Sequence, residues 1–111
     1  MKFSSTKSNN IVIIRIEGKL DANTSEEFQR NMTGLLTKGE KKFAIDCSEL
    51  EFVSSAGIRA FLWIAKELQK LEGSLSISSL NDNVSRVFNI TNLRSVFPIY
   101  NSTDEAIKKM T

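Results

Sequence analysis

Residues 43–78 read FAIDCSELEFVSSAGIRAFLWIAKELQKLEGSLSIS, and the changes of period along this stretch decide the fold class. It opens on Phe43-Ala44-Ile45-Asp46-Cys47, short, apolar and bounded by polar residues, the pattern of a buried strand. Ser48 to Glu51 reads as a loop. Apolar residues then recur as Ile58, Phe61, Leu62, Ala65 and Leu68, which is helical spacing, and Leu71-Glu72-Gly73 supplies a glycine stop. Ser74-Leu75-Ser76-Ile77-Ser78 alternates strictly, predicting a strand with one buried face and one hydroxyl-lined face. Strand, helix and strand in this order predict two parallel strands joined by a crossover helix.

Working outward, the N-terminal side predicts a hairpin. Phe3 to Thr6 is a short strand candidate, joined through Lys7-Ser8-Asn9-Asn10 to the β-branched run Ile11 to Ile16. Gly18-Lys19-Leu20-Asp21 breaks that run, and Thr24-Ser25-Glu26-Glu27 has the form of a capping box ahead of Phe28, Met32, Leu35 and Leu36. A helix over about Thr24 to Thr37 follows. On the C-terminal side, Asn81 or Asp82 caps a shorter helix with Val84, Val87 and Phe88 on its apolar stripe. Val96 to Tyr100 reads as a last strand, with Pro98 favouring an edge or a strand end, and Ser102 to Glu105 is a second capping box opening a helix to Met110. The sum is an α/β domain over residues 1–111, with a mixed four- to five-stranded sheet, about four helices, and the order β-β-α-β-α-β-α-β-α.

Composition narrows the chemistry. The chain has no histidine, which removes the usual general base, the Ser-His-Asp and Cys-His arrangements and the commonest metal ligand. Neither a Gly-x-x-x-x-Gly-Lys loop nor a Gly-x-Gly-x-x-Gly loop is present, so nothing supports nucleotide chemistry. A net charge of +2, with Lys38, Lys41 and Lys42 interrupted by Gly39 and Glu40, fits a solvated turn rather than a nucleic-acid patch. The lone Cys47 reads as a buried thiol. Residues 1–10 lack an apolar h-region and no apolar run is long enough to span a bilayer, so a cytoplasmic location is expected. The expectation is a chain that is not an enzyme and carries no cofactor or metal.

The segment Phe52-Val53-Ser54-Ser55-Ala56-Gly57-Ile58-Arg59 places two hydroxyls where a loop becomes a helix. A serine there can cap an orphan backbone N–H, and a phosphate there would meet the positive end of the helix dipole, so one address suits a cap and a phosphosite alike. In a parallel sheet the loops Gly18 to Asp21 and Leu50 to Gly57 would both lie beyond strand C-termini and form one surface. Asp21 could stabilise its turn or recognise a partner, Gly18 could serve a turn, and Gly57 a close backbone approach. Trp63 falls off the apolar stripe, as an anchor for a partner or as packing at the helix margin, and Arg59 is a surface charge or a phosphate ligand.

These two loops, together with the chain length and element order, resemble the STAS domain family, above all its small single-domain members, the bacterial anti-sigma factor antagonists. The resemblance rests on Gly18-Lys19-Leu20-Asp21 and on Phe52-Val53-Ser54-Ser55-Ala56-Gly57, and it covers almost the whole chain. It implies a protein that, unphosphorylated, binds an anti-sigma factor serine/threonine kinase and so releases a sigma factor. It implies further that this kinase phosphorylates the serine two places before the motif glycine, here Ser55, and that a metal-dependent serine phosphatase reverses the step. Ser54 stands where the family commonly has aspartate and Ala56 where it has a second serine, which makes Ser54 the second candidate for modification. The partner surface so implied comprises Gly18, Leu20, Asp21, Ser54, Ser55, Ala56, Gly57 and Ile58. The alternative is a non-switching STAS subunit, a structural module in a signalling or lipid-transport assembly.

Overall fold

The computed structural model describes the whole chain, residues 1–111. Strands β1 (Lys2–Ser8) and β2 (Ile11–Leu20) make the expected hairpin, turned by Asn9 and Asn10 at φ 51° and 68°. Two successive left-handed residues are the mark of a type I′ turn, whose twist suits a hairpin, and asparagine visits that region at less cost than most residues. Then follow α1 (Ser25–Thr37), β3 (Lys42–Asp46), β4 (Leu50–Val53), α2 (Ser55–Lys70), β5 (Ser74–Ser78) and α3 (Asp82–Ile90). A 3-10 helix (Leu93–Ser95), β6 (Ile99–Tyr100) and α4 (Thr103–Met110) complete the chain. No helix is long and apolar enough to cross a membrane.

The mixed α/β class is as expected, with one strand more than the spacing revealed. The main sheet runs β1-β2-β3-β5-β6, β1 antiparallel to β2 and the others parallel to their neighbours. β2 is long enough to serve two partners: Val12 to Arg15 pair with Phe43 to Asp46, and Gly18 to Leu20 pair with β4 off the main path. Residues 48–51, expected as a loop, therefore contain the start of a strand. Gly18 to Leu20, expected to break the strand, instead continue it past an irregularity between Gly18 and Lys19, where Gly18 takes φ +95°.

Helices α1, α2 and α3 share a core built on phenylalanine. Phe61 of α2 meets Phe28 of α1 edge-on at 5.6 Å between ring centres, Phe88 of α3 at 6.1 Å and Phe97 at 6.4 Å. Val12, Ile14, Ile16, Phe43, Ile45 and Ile77 of the sheet belong to the same cluster. On α2 the fully buried positions are Gly57, Ala60, Phe61, Ile64 and Leu68, a stripe turned slightly from the one read in the sequence, so Ile58, Leu62 and Ala65 lie at its margin. The opposite face of β5 is covered by α4: the Ser78 hydroxyl lies 2.8 Å from that of Thr103, and the Ser76 hydroxyl contacts the Met110 sulfur. On the hydroxyl-lined face of β5, Ser76 and Ser78 are thus buried as well and only Ser74 at the strand start is exposed, because both faces of this central strand are covered.

Of the two C-terminal expectations, the helix Thr103–Met110 stands as expected, capped by Ser102 through Glu105 N–H, and the strand shortens. The last strand is only Ile99–Tyr100, since Leu93 to Ser95 curl into a 3-10 helix; Pro98 precedes it and accepts from Ile77 through its carbonyl at 2.9 Å. As the outermost strand of the sheet, β6 is where a proline is tolerated.

Candidate functional site

The end of β2 and the start of α2 are bound to each other through backbone. Gly18 N–H donates to the Glu49 carbonyl and Ser54 N–H to the Leu20 carbonyl, each at 3.0 Å, so the two loops form a single surface as expected. Gly57, in the first turn of α2, sits directly against the end of β2. A Cβ there would collide with the Leu20 carbonyl and come within 2.7 Å of Val53 Cγ2. Glycine at 57 is therefore a requirement of close approach between helix and strand.

Asp21 holds its own turn. Its Oδ1 accepts from Asn23 N–H at 2.9 Å, and its carbonyl accepts from the N–H groups of Thr24 and Ser25. Thr24, expected to open a capping box, leaves its helix uncapped by any side chain; its hydroxyl accepts from Asp21 N–H and donates to the Lys19 carbonyl at 2.9 Å. That hydroxyl therefore braces the turn of Asp21 rather than the first turn of α1.

The two serines have different work. Ser54 is the N-cap of α2, in extended conformation (φ −95°, ψ 179°), and its Oγ accepts from Gly57 N–H at 3.4 Å. Ser55 is the first helical residue, exposed, with no hydrogen-bond partner for its hydroxyl within the chain. The first turn of α2 carries no acidic side chain, leaving the positive end of its dipole uncompensated. Arg59, one turn further on, is exposed and belongs to no ion pair.

Of the remaining expected site residues, Leu20 and Gly57 are buried beneath this surface, and Ala56 and Ile58 are half-buried at its margin. Trp63 is half-buried against the core. Around the serines lie the exposed Glu49 and Glu51, the former paired with Arg15 at 3.4 Å. Two contributors escape sequence reasoning. Phe52 is 47% exposed beside the serines, although alternation from Leu50 would have turned it inward. Asn81 caps α3 through Val84 N–H at 2.8 Å, as expected, but also donates from Nδ2 to the Leu50 carbonyl at 2.9 Å, tying α3 to β4. The capping role is legible in the sequence; the tertiary bond has no local signal. Away from the surface, Cys47 is fully buried, and burial, reinforced by the negative charge of Asp46, pushes its thiol well above its ordinary value.

The sequence profile of the STAS domain matches residues 2–106. A protein of Bordetella bronchiseptica named as a candidate anti-sigma factor antagonist, BtrV, is 31% identical over 96% of this chain and 91% of its own. An anti-sigma-B factor antagonist of Staphylococcus aureus is 21% identical over 94% and 96% of the two chains. Among solved structures, the crystal structure of a candidate anti-sigma factor antagonist from Thermotoga maritima superposes with a TM-score of 0.92, at 25% identity, over 96% of this chain and 92% of that one.

Proposed function

The chain belongs to the STAS domain family, and from that membership we propose that residues 1–111 act as a single-domain anti-sigma factor antagonist switched at Ser55. In its unmodified form it binds an anti-sigma factor that is also a serine kinase, and a sigma factor is released. The kinase phosphorylates Ser55 and so ends the complex, and a metal-dependent phosphatase restores the binding form. The names carried by the similar proteins support the antagonist role. The observation that carries the choice of residue is the division of labour between the two serines: Ser54 is occupied as a cap, whereas the Ser55 hydroxyl is exposed and unpartnered.

The physical basis of the switch is charge placed in an interface. A phosphoserine adds about −1.5 to −2 charges at pH 7, which the free N-terminus of α2 tolerates locally. The surface around it already holds Asp21, Glu49 and Glu51, so no neighbouring acidic group offsets the new charge when a partner covers it. Desolvation and repulsion amounting to about 2–4 kcal/mol would weaken the complex roughly thirty- to a thousand-fold while leaving the fold intact.

The test is intact-mass and site-mapping mass spectrometry of the protein recovered with its partners from its native cells, alongside Ser55→Ala and Ser55→Asp. Phosphate on Ser55, the kinase found only on unmodified protein, and binding kept by alanine but lost by aspartate are the expected results. Equal partner retention by both variants, with no phosphate on either serine, would instead identify a non-switching subunit.

A further inference from the structure

A second concave surface lies away from the serines. The C-terminal half of α2 and the start of β5 enclose a groove of about 630 Å³, closed on its third side by the segment leading to β6. Leu62, Ala65, Leu68, Leu75, Val96 and Phe97 form its apolar lining, and Val96 is 51% exposed there. The volume falls in the range of small-molecule sites, roughly 300–1,000 Å³. Two polar residues of α2 also line it, Lys66 and Gln69, both exposed, and neither side chain has a hydrogen bond or ion pair within the chain. Lys66 is the only ionisable group among the lining residues, and the nearby Glu67 pairs with Lys70 at 3.7 Å.

An apolar cleft with one unpaired cation and no carboxylate is complementary to a molecule with an apolar chain and an anionic head. We propose that this groove binds an anionic amphiphile of medium chain length, a carboxylate of the fatty-acid type. The chain lies on Leu62, Ala65, Leu75 and Val96, which keep exposed surface, and the head accepts hydrogen bonds from Lys66 Nζ and the Gln69 amide. Burial of the chain supplies most of the affinity, and the charged hydrogen bond sets polarity and orientation. The site is distinct from the serine surface: Leu62, its nearest lining residue on α2, lies about 10 Å along the helix axis from Ser55. Its test does not depend on the switch.

Sodium decanoate, kept below its micellar concentration, is titrated into the full-length isotope-labelled chain and followed by amide chemical shifts. Saturable shifts centred on Leu62 to Gln69, Leu75 and Phe97 are expected, with weaker binding of the uncharged decanol. Lys66→Glu should weaken decanoate at least about fivefold and leave decanol unchanged, whereas Ala65→Phe, which fills the groove, should remove both. Shifts scattered over other exposed apolar residues such as Ile90, or equal decanoate affinity in Lys66→Glu, would overturn the assignment. So would an unperturbed groove that is instead saturated by an acidic amphipathic peptide, which would make it a protein-docking surface.

Discussion

At the scale of single residues, the difference between Ser54 and Ser55 is one helical position. Sequence reasoning locates the helix start but not to one residue, so both hydroxyls read equally as caps; only the observed boundary separates the capping oxygen from the free one. Gly57 is the contrary case, because a glycine inside a helical stripe already signals close approach, and the Leu20 carbonyl is what approaches. Gly57→Ala should therefore cost about 1–3 kcal/mol of stability, read as a lower urea midpoint at unchanged slope. The buried Cys47 supplies a pH dependence. Its folded-state thiol is raised above the ordinary value of 9.0, so it stays neutral at pH values where the unfolded chain ionises. Stability from this group is complete below pH 9 and declines above it, by about 1.4 kcal/mol per pH unit relative to Cys47→Ala. Urea denaturation of both proteins at several pH values between 8 and 10 measures the difference in slope.

At the scale of elements, the hairpin, the four helices and the strands β3 and β5 are legible because each has an amphipathic period or a bounded apolar run and turn residues of the right chemistry. The misreadings come where tertiary contact, not local preference, decides. Gly73 reads as the stop of α2, yet the left-handed residue there is Glu72, at φ 56°; Gly73 is needed because a Cβ on it would strike the Lys41 carbonyl. Glu72→Gly is expected to raise stability by up to about 1 kcal/mol by relieving the left-handed conformation, and Gly73→Ala to lower it. Thermal melts of the two variants should move in opposite directions. Strand β4 has no sequence signal for a related reason: four residues with the pattern buried, exposed, exposed, buried carry no two-residue period, and its partner is more than thirty positions away in the chain.

At the scale of the whole molecule, the parallel arrangement follows from the alternation of strands and helices, and so does the placing of both loops at one end. The division of β2 between two partners does not, since nothing local marks the point where β3 ceases to pair and β4 begins. That division bears on motion. β1, β2, β3, β5 and β6 form a continuous ladder, whereas β4 has β2 as its one ladder partner, anchored besides by the buried Leu50 and Val53 and by the Asn81 bond to the Leu50 carbonyl, with Glu51 and Phe52 open to solvent. Native-state hydrogen exchange should show the amides of β4 opening at least about tenfold more often than those of Ile14 or Ile45, through a local fluctuation that leaves the main sheet intact. The segment carrying Ser54 and Ser55 follows directly on this singly paired strand. An enzyme that must draw the serine into its own cleft would then work against the free energy of one local opening, and not against that of unfolding the protein.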